Sequence, residues 1–177
     1  MTVIRIAIVS WALIVASVAS AQQIELPDWE NSVKFQLVAS QQPIRPGDAF
    51  ELALVVDIEK GYHLYGPEEQ EPSRTEVAVA GKQIQAGEPS FPEVVKRDLE
   101  GLGTYDLYEG RIAIRVPLTL DKTANTEEHA LLATVNYQVC TDFACSAPTS
   151  DELSIVVPGG TVDAKVAKQH PEIFEQK

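Results

Sequence analysis

The stretch Phe50-Glu51-Leu52-Ala53-Leu54-Val55-Val56-Asp57-Ile58 places a large apolar residue at every second position. Successive side chains of a β-strand point to opposite faces, so this spacing puts the large apolar side chains on one face of a strand. The intervening positions include Glu51 and Asp57, which suit a face turned away from the core. The stretch therefore predicts a long β-strand with one face in a hydrophobic core.

The same two-residue period recurs on both sides of this stretch. Apolar stripes run through residues 33–37, 75–80, 111–120, 131–139 and 153–157. Turn signals such as Pro46-Gly47-Asp48, Lys60-Gly61 and Glu109-Gly110 separate them. Several short alternating strands with such turns are typical of an antiparallel sandwich or barrel. The unequal strand lengths and long connections favour a sandwich, so we predict an all-β, antiparallel β-sandwich.

The periodicity also divides the chain. We predict one domain over residues 22–160 and a short C-terminal tail over residues 161–177. In the tail, Val162 and Val166 suit the inward side of a short amphipathic turn that ends before Pro171. Residues 89–108 form the longest segment without alternation, which predicts a long loop. Gly101 and Gly103 flank Leu102 and give this loop a mobile tip with one apolar side chain.

The first residues have the pattern of an export signal. Arg5 precedes an apolar run over residues 6–18, and Ala19-Ser20-Ala21 is a small-residue cleavage site. Residues 1–21 are therefore predicted to be a signal peptide, with an uncleaved N-terminal anchor as the alternative. Either form faces an oxidising compartment, most simply a bacterial periplasm.

Charge and missing motifs exclude several function classes. The formal net charge of −12 disfavours nucleic acid and anionic membrane surfaces as partners. The chain has no phosphate-cradling Gly-Lys-Ser/Thr loop, no Gly-x-Ser-x-Gly elbow and no metalloprotease helix. We therefore predict no cofactor and no small-molecule ligand.

The only two cysteines form the motif Cys140-Thr-Asp-Phe-Ala-Cys145 at the end of an alternating stripe. In an oxidising compartment they are predicted to form a disulfide across a four-residue turn, with Cys140 on the polar side of its strand. So short a loop contributes only about 2 kcal/mol to stability in the chain-entropy model. A structural bond, a redox-active pair and a metal site with His63 remain three alternatives at this point.

Several segments, in order, resemble one family. They are Gly61-Tyr62-His63-Leu64-Tyr65, Leu107-Tyr108-Glu109-Gly110, Val116-Pro117-Leu118, and Tyr137-Gln138-Val139-Cys140 followed by Pro148. Over about residues 30–157 the chain is similar to the N-terminal periplasmic domain of thiol:disulfide interchange proteins of the DsbD type. The resemblance implies an immunoglobulin-like sandwich whose cysteine pair cycles between dithiol and disulfide.

The resemblance also implies roles for particular residues. Cys140 and Cys145 would be the exchange pair, and a loop around residues 101–105 would cap it, with Leu102 or Tyr105 over the sulfurs. Tyr62 and Tyr65 would support the pair, or else simply pack in the sandwich. Family members pass electrons to periplasmic disulfide isomerases and to cytochrome c maturation factors.

The chain ends at Lys177, without the electron channel and the thioredoxin-like Cys-x-x-Cys of that family. We therefore expect its partners to be thioredoxin-like periplasmic proteins or a membrane electron-channel protein on a separate chain. The leading hypothesis is a thiol–disulfide exchange module that is one component of a protein-disulfide oxidoreductase system. The alternative is a non-catalytic β-sandwich binding module with a structural disulfide. The sequence favours neither cysteine as the first one attacked.

Overall fold

β-strands are the main secondary structure of the described part of the chain. A computed structural model describes residues 27–99, 101 and 103–175, so the predicted signal peptide lies outside the described residues. The strands are β1 Val33–Ala39, β2 Gln41–Gln42, β3 Ala49–Ile58, β4 His63–Tyr65, β5 Glu76–Gly81, β6 Ile84–Ala86, β7 Val95–Leu99, β8 Gly103–Tyr108, β9 Arg111–Leu120, β10 His129–Tyr137, β11 Val139–Cys140, β12 Thr149–Val157 and β13 Ala167–Lys168. The described residues include one helix, α1, which spans Pro171–Phe174.

Two larger sheets form the sandwich that the alternation predicts. One has the order β1-β3-β9-β6 and the other β12-β10-β5, and the pairings within them are antiparallel. The core between them is filled from both sides, by Leu52 and Leu54 of β3 and by Leu131 and Val135 of β10. The opening stretch is β3, and its predicted core residues Phe50, Leu52, Leu54, Val56 and Ile58 are all buried.

A third, smaller sheet lies at one end of the sandwich, with the order β11-β4-β8-β7. The prediction of a loop over residues 89–108 is wrong in its second half, where β7 and β8 form an antiparallel hairpin. These strands are short and mix charged with apolar residues, so periodicity alone does not reveal them. The hairpin turn is glycine-rich because Gly101 and Gly103 have φ angles of 79° and 112°, a region that other residues rarely adopt.

The C-terminal tail lies on the outer face of the first sheet. β13 pairs with β2, and Ile173 and Phe174 pack against a second apolar cluster formed by Val38, Ala53 and Val55. The predicted inward position of Val162 is wrong, because that side chain is 70% exposed. The helix begins at Pro171 instead of ending before it. This cover explains why β3 is buried on both faces.

Among the described residues, no helix has the length and apolar character needed to cross a membrane.

Candidate functional site

Cys140 and Cys145 form a disulfide with a Cα–Cα distance of 4.0 Å. The predicted pairing is therefore confirmed. The prediction that Cys140 lies on the polar side of its strand is wrong: its exposure is 0%, whereas Cys145 is exposed. The strand that carries the stripe stops at Tyr137, and Val139 and Cys140 continue in the small sheet beside β4. Val139 lies in the main core and Cys140 is opposite the buried His63, so both faces of this strand are buried and the two halves of the bond are unequal.

The turn between the cysteines is held by Thr141. Its backbone N–H donates to the Ala144 carbonyl oxygen at 2.8 Å, and its hydroxyl oxygen accepts hydrogen bonds from the backbone N–H groups of Phe143 and Ala144. The Ser146 N–H then donates to the Val139 carbonyl oxygen at 2.8 Å. These bonds keep the loop compact, so Cys145 has a defined position at the surface.

Phe143 projects from this turn and is 97% exposed. A large apolar side chain with almost no protein contact gains nothing from folding. It stands between the two cysteines in sequence and two residues before the exposed one. Phe143 is therefore available to a protein that approaches the disulfide.

The small sheet brings further groups to the disulfide. Cys140 is directly opposite His63, Tyr65 is opposite Leu107, and Arg97 is opposite Tyr105. Directly opposed residues share one face of a sheet. The ring of Tyr65 accordingly contacts those of His63 and Tyr105, with centroid distances of 6.0 and 5.5 Å.

His63 is 1% exposed, and neither ring nitrogen has a hydrogen-bonding partner among the described residues. Burial lowers the pKa of His63, and the positive charge of Arg97 lowers it further. Asp142 and Glu109 act in the opposite direction, and the net pKa is below 6.5. His63 is therefore a neutral imidazole at neutral pH.

Arg97 connects the β7–β8 hairpin to the cysteine loop. Its guanidinium donates to an Asp142 carboxylate oxygen at 2.8 Å and also pairs with Glu109. Asp142 lies between the two cysteines, so this bridge joins the hairpin directly to the cysteine loop. Sequence reasoning did not identify Arg97, because its partners are 45 and 12 residues away in the chain.

The other predicted site residues have different placements. Tyr62 lies on the side of Trp29, with a ring centroid distance of 5.9 Å, and its hydroxyl oxygen accepts a hydrogen bond from the Asp28 N–H at 3.0 Å. Tyr65 and Tyr105 lie together on the face that carries Cys140. Leu102 is outside the described residues. The supporting and capping roles of these residues stay predictions.

Within the described ranges no group of three or more His, Cys, Asp and Glu side chains is positioned to hold a metal ion. The arrangement offers the chemistry of a disulfide in which one cysteine, Cys145, is exposed and the other, Cys140, is buried.

Comparison with protein families shows the family of this chain. Residues 31–156 match the family described as thiol:disulfide interchange protein DsbD, N-terminal. The chain belongs to this family. Membership connects the Cys140–Cys145 pair with thiol–disulfide interchange, and the predicted immunoglobulin-like antiparallel β-sandwich is confirmed.

Three solved structures are similar to this chain. The N-terminal periplasmic domain of ScsB from Proteus mirabilis is 14% identical, with a TM-score of 0.50 over 86% of this chain and 53% of that one. The Neisseria meningitidis DsbD N-terminal domain in its reduced form is 19% identical over 76% of this chain and 89% of that one, with a TM-score of 0.40. A complex between the DsbD and PilB N-terminal domains of the same organism has 19% identity, coverages of 83% and 93%, and a TM-score of 0.44. A search of curated proteins gave no significant match.

Proposed function

We propose that this DsbD N-terminal family member is a periplasmic module that passes electrons between protein partners through the Cys140–Cys145 pair. The observation that carries the proposal is the unequal burial of the two cysteines. A disulfide that only stabilises a core needs no exposed end. One that exchanges needs a sulfur that a partner thiolate can approach, and Cys145 offers it.

The proposed reaction has two steps. A partner thiolate attacks the Cys145 sulfur, the bond to Cys140 breaks, and Cys140 leaves as a thiolate that takes up a proton. The partner's second thiolate then attacks the partner sulfur of the mixed disulfide. The bond to Cys145 breaks with its electron pair on the Cys145 sulfur, the partner departs as a disulfide, and the domain is left reduced. The reverse sequence passes the two electrons to another disulfide. Cys145 is the first cysteine attacked, because Cys140 is buried behind it.

The proposed partners are thioredoxin-like periplasmic proteins, with a membrane electron-channel protein on a separate chain as a possible donor. Family membership supports this class, because exchange requires a second protein with a reactive thiol. The exposed Phe143 beside Cys145 supports contact with an apolar surface around that thiol. Cytochrome c maturation factors are proposed acceptors on the same basis.

The β7–β8 hairpin is the proposed cap. It belongs to the sheet that contains Cys140, and the Arg97–Asp142 ion pair ties it to the cysteine loop. Tyr105 on this hairpin reaches Tyr65, next to His63. Release of the ion pair would free the hairpin from the loop and widen the approach to the Cys145 sulfur.

Trapping tests the order of attack. Cys140→Ala leaves Cys145 to form a stable mixed disulfide with a thioredoxin-like domain, whereas the matched variant Cys145→Ala leaves only the buried thiol. We expect a covalent complex on non-reducing gels with the first variant and little with the second. Equal yields, or more complex with Cys145→Ala, would contradict the proposed order.

The reduction potential separates exchange from the alternative of a binding module with a structural bond. Structural disulfides have potentials below about −300 mV, whereas exchanging ones are more oxidising. Equilibration with glutathione and dithiothreitol buffers, read by alkylation, gives the value. A potential below that limit, together with no reduction by thioredoxin-like domains, would refute the proposed function.

A further inference from the structure

His63 is a buried polar residue that the exchange reaction described above does not use. Its side chain is 1% exposed and both nitrogens are unpaired among the described residues. A buried polar group without a partner costs stability, and a catalytic or redox role is one explanation for such a group in a native protein. His63 therefore requires an explanation beyond packing.

The position of His63 supplies one. It is directly opposite Cys140 in the pairing of β4 with β11, and opposed residues have Cα atoms about 4.5–5.5 Å apart with side chains on the same face. Cys140 is completely buried. While the disulfide is intact, its sulfur has no proton to donate. After reduction the Cys140 thiol is a donor, and the imidazole opposite it in the strand pairing has an unpaired nitrogen that can accept.

The charges around His63 keep it in the form that accepts a proton. Arg97 of β7 faces it together with the two carboxylates that Arg97 pairs, Glu109 after β8 and Asp142 in the cysteine loop. The ring of Tyr65 of β4 is nearly perpendicular to the imidazole, at an angle of 83°. Burial and Arg97 outweigh the carboxylates, so the imidazole is neutral at pH 7 and has a free lone pair.

We propose that His63 accepts the proton of the Cys140 thiol when Cys140 expels a bound partner from Cys145. The proposal rests on the proposed exchange function and assigns its proton transfer. The S–H proton of Cys140 moves to an imidazole nitrogen as the sulfur bonds to the Cys145 sulfur. The Cys145–partner bond breaks, and its electron pair leaves on the partner sulfur as a thiolate. Cys140 and Cys145 are oxidised together, the partner is reduced, and His63 passes its proton to solvent or to the departing thiolate.

The step needs a base because Cys140 is buried. Only the thiolate is nucleophilic, and burial disfavours the charged thiolate relative to the thiol. Cys145 is exposed and exchanges its proton with water, so it needs no such group. The buried imidazole lies opposite Cys140 and not beside Cys145. It is therefore placed at the cysteine whose thiol needs a base.

A small aromatic disulfide measures this step without a protein partner. The reduced protein is mixed with excess 5,5′-dithiobis(2-nitrobenzoate), which modifies the exposed Cys145 and releases one coloured thiolate. Expulsion of the second thiolate by Cys140 is then unimolecular and independent of reagent concentration. Its rate is followed by absorbance from pH 5.5 to 9 for wild type, His63→Phe and His63→Gln.

The matched control is His129→Phe. His129 is also a buried histidine, with 6% exposure, but it starts β10, whereas Cys140 lies beyond the end of that strand. The nine residues of this strand span eight steps, so its ends are roughly 26 Å apart. This variant reports the effect of replacing a buried histidine away from the sulfurs.

We expect the wild-type and His129→Phe rates to be nearly constant above pH 6.5. In His63→Phe and His63→Gln the rate should rise about tenfold per pH unit, because it follows the thiolate fraction, and should be about 10–100-fold slower at pH 7. The rates should converge at high pH, where the thiol ionises by itself. Glutamine can receive a hydrogen bond but is not a base, so it distinguishes proton transfer from positioning.

Two results would overturn the inference in distinguishable ways. If either folded His63 variant expels the second thiolate with the wild-type rate and pH profile, His63 is not the proton acceptor, although exchange itself stands. If wild type keeps the aromatic thiol bound at every pH, Cys140 does not resolve mixed disulfides, and the proposed function fails together with the inference.

Discussion

Breaking the Cys140–Cys145 bond should weaken the fold only slightly, which is the sharpest distinction between a structural bond and a working one. The perturbations are reduction of the wild-type protein and the double variant Cys140→Ala/Cys145→Ala. The cysteines are 5 positions apart, so the chain-entropy model assigns the cross-link about 2 kcal/mol.

The burial of the two residues adjusts the estimate for the double variant. Cys140 is fully buried, so loss of its sulfur leaves a cavity of about one methyl group and costs about 1 kcal/mol more. Cys145 is exposed, and its replacement adds little. We expect free energies of unfolding about 2 kcal/mol lower for the reduced protein and about 3 kcal/mol lower for the double variant. A domain of this size, whose core fills the space between two sheets, retains its fold after such losses.

Urea unfolding followed by far-ultraviolet circular dichroism and by the fluorescence of Trp29 provides the measurement. The denaturant dependence should keep its slope in all three forms, because the surface exposed on unfolding scarcely changes. Unfolding of the reduced protein in the absence of urea, or a loss above about 4 kcal/mol, would refute the reasoning and assign the bond a structural role.

Three further outcomes are expected. Phe143→Ala should lower kcat/KM with a thioredoxin-like partner about tenfold and leave the rate of reduction by dithiothreitol unchanged. The control variant Val162→Ala, at another exposed apolar residue, should change neither quantity, and equal losses of kcat/KM in the two variants would contradict a docking role for Phe143. Arg97→Gln should speed reduction by dithiothreitol about fivefold at low salt, because the hairpin loses about 1 kcal/mol of restraint, and this gain should shrink in 1 M salt. No gain, or the same gain in the control variant Arg45→Gln, would show that the Arg97–Asp142 ion pair does not limit access to the disulfide. The pKa of His63 is lowered in the folded state, so as the pH falls the imidazole is protonated first in the unfolded chain, and the stability of the fold should decline from about pH 6.5 downward. His63→Phe should lose that part of the decline. A pH dependence in denaturant titrations that is the same in this variant as in wild type would contradict a neutral buried imidazole.

Family resemblance and residue pattern together predicted the exchange pair, but not its environment. The isolation of Cys140 and Cys145 in sequence was enough to predict their bond. The asymmetry between them was not predictable, because it arises where the chain leaves β10 after Tyr137 and enters another sheet. Tyr137 and Val139 keep the alternation and lie in the core, but Cys140 on the opposite face is also buried, because it is opposite His63 in the small sheet.

The sequence by itself determined the sandwich. Period-two alternation is a local property of each strand, and burial of one apolar face per strand is enough to specify two packed sheets. Only the tertiary structure decided what surrounds the sulfurs. His63 meets Cys140 across 77 positions, and Arg97 meets Asp142 across 45, through pairings in a small sheet whose strands are too short to show a period. Contacts between such distant residues depend on strand order and register, which the packing of the whole domain sets and no local pattern encodes.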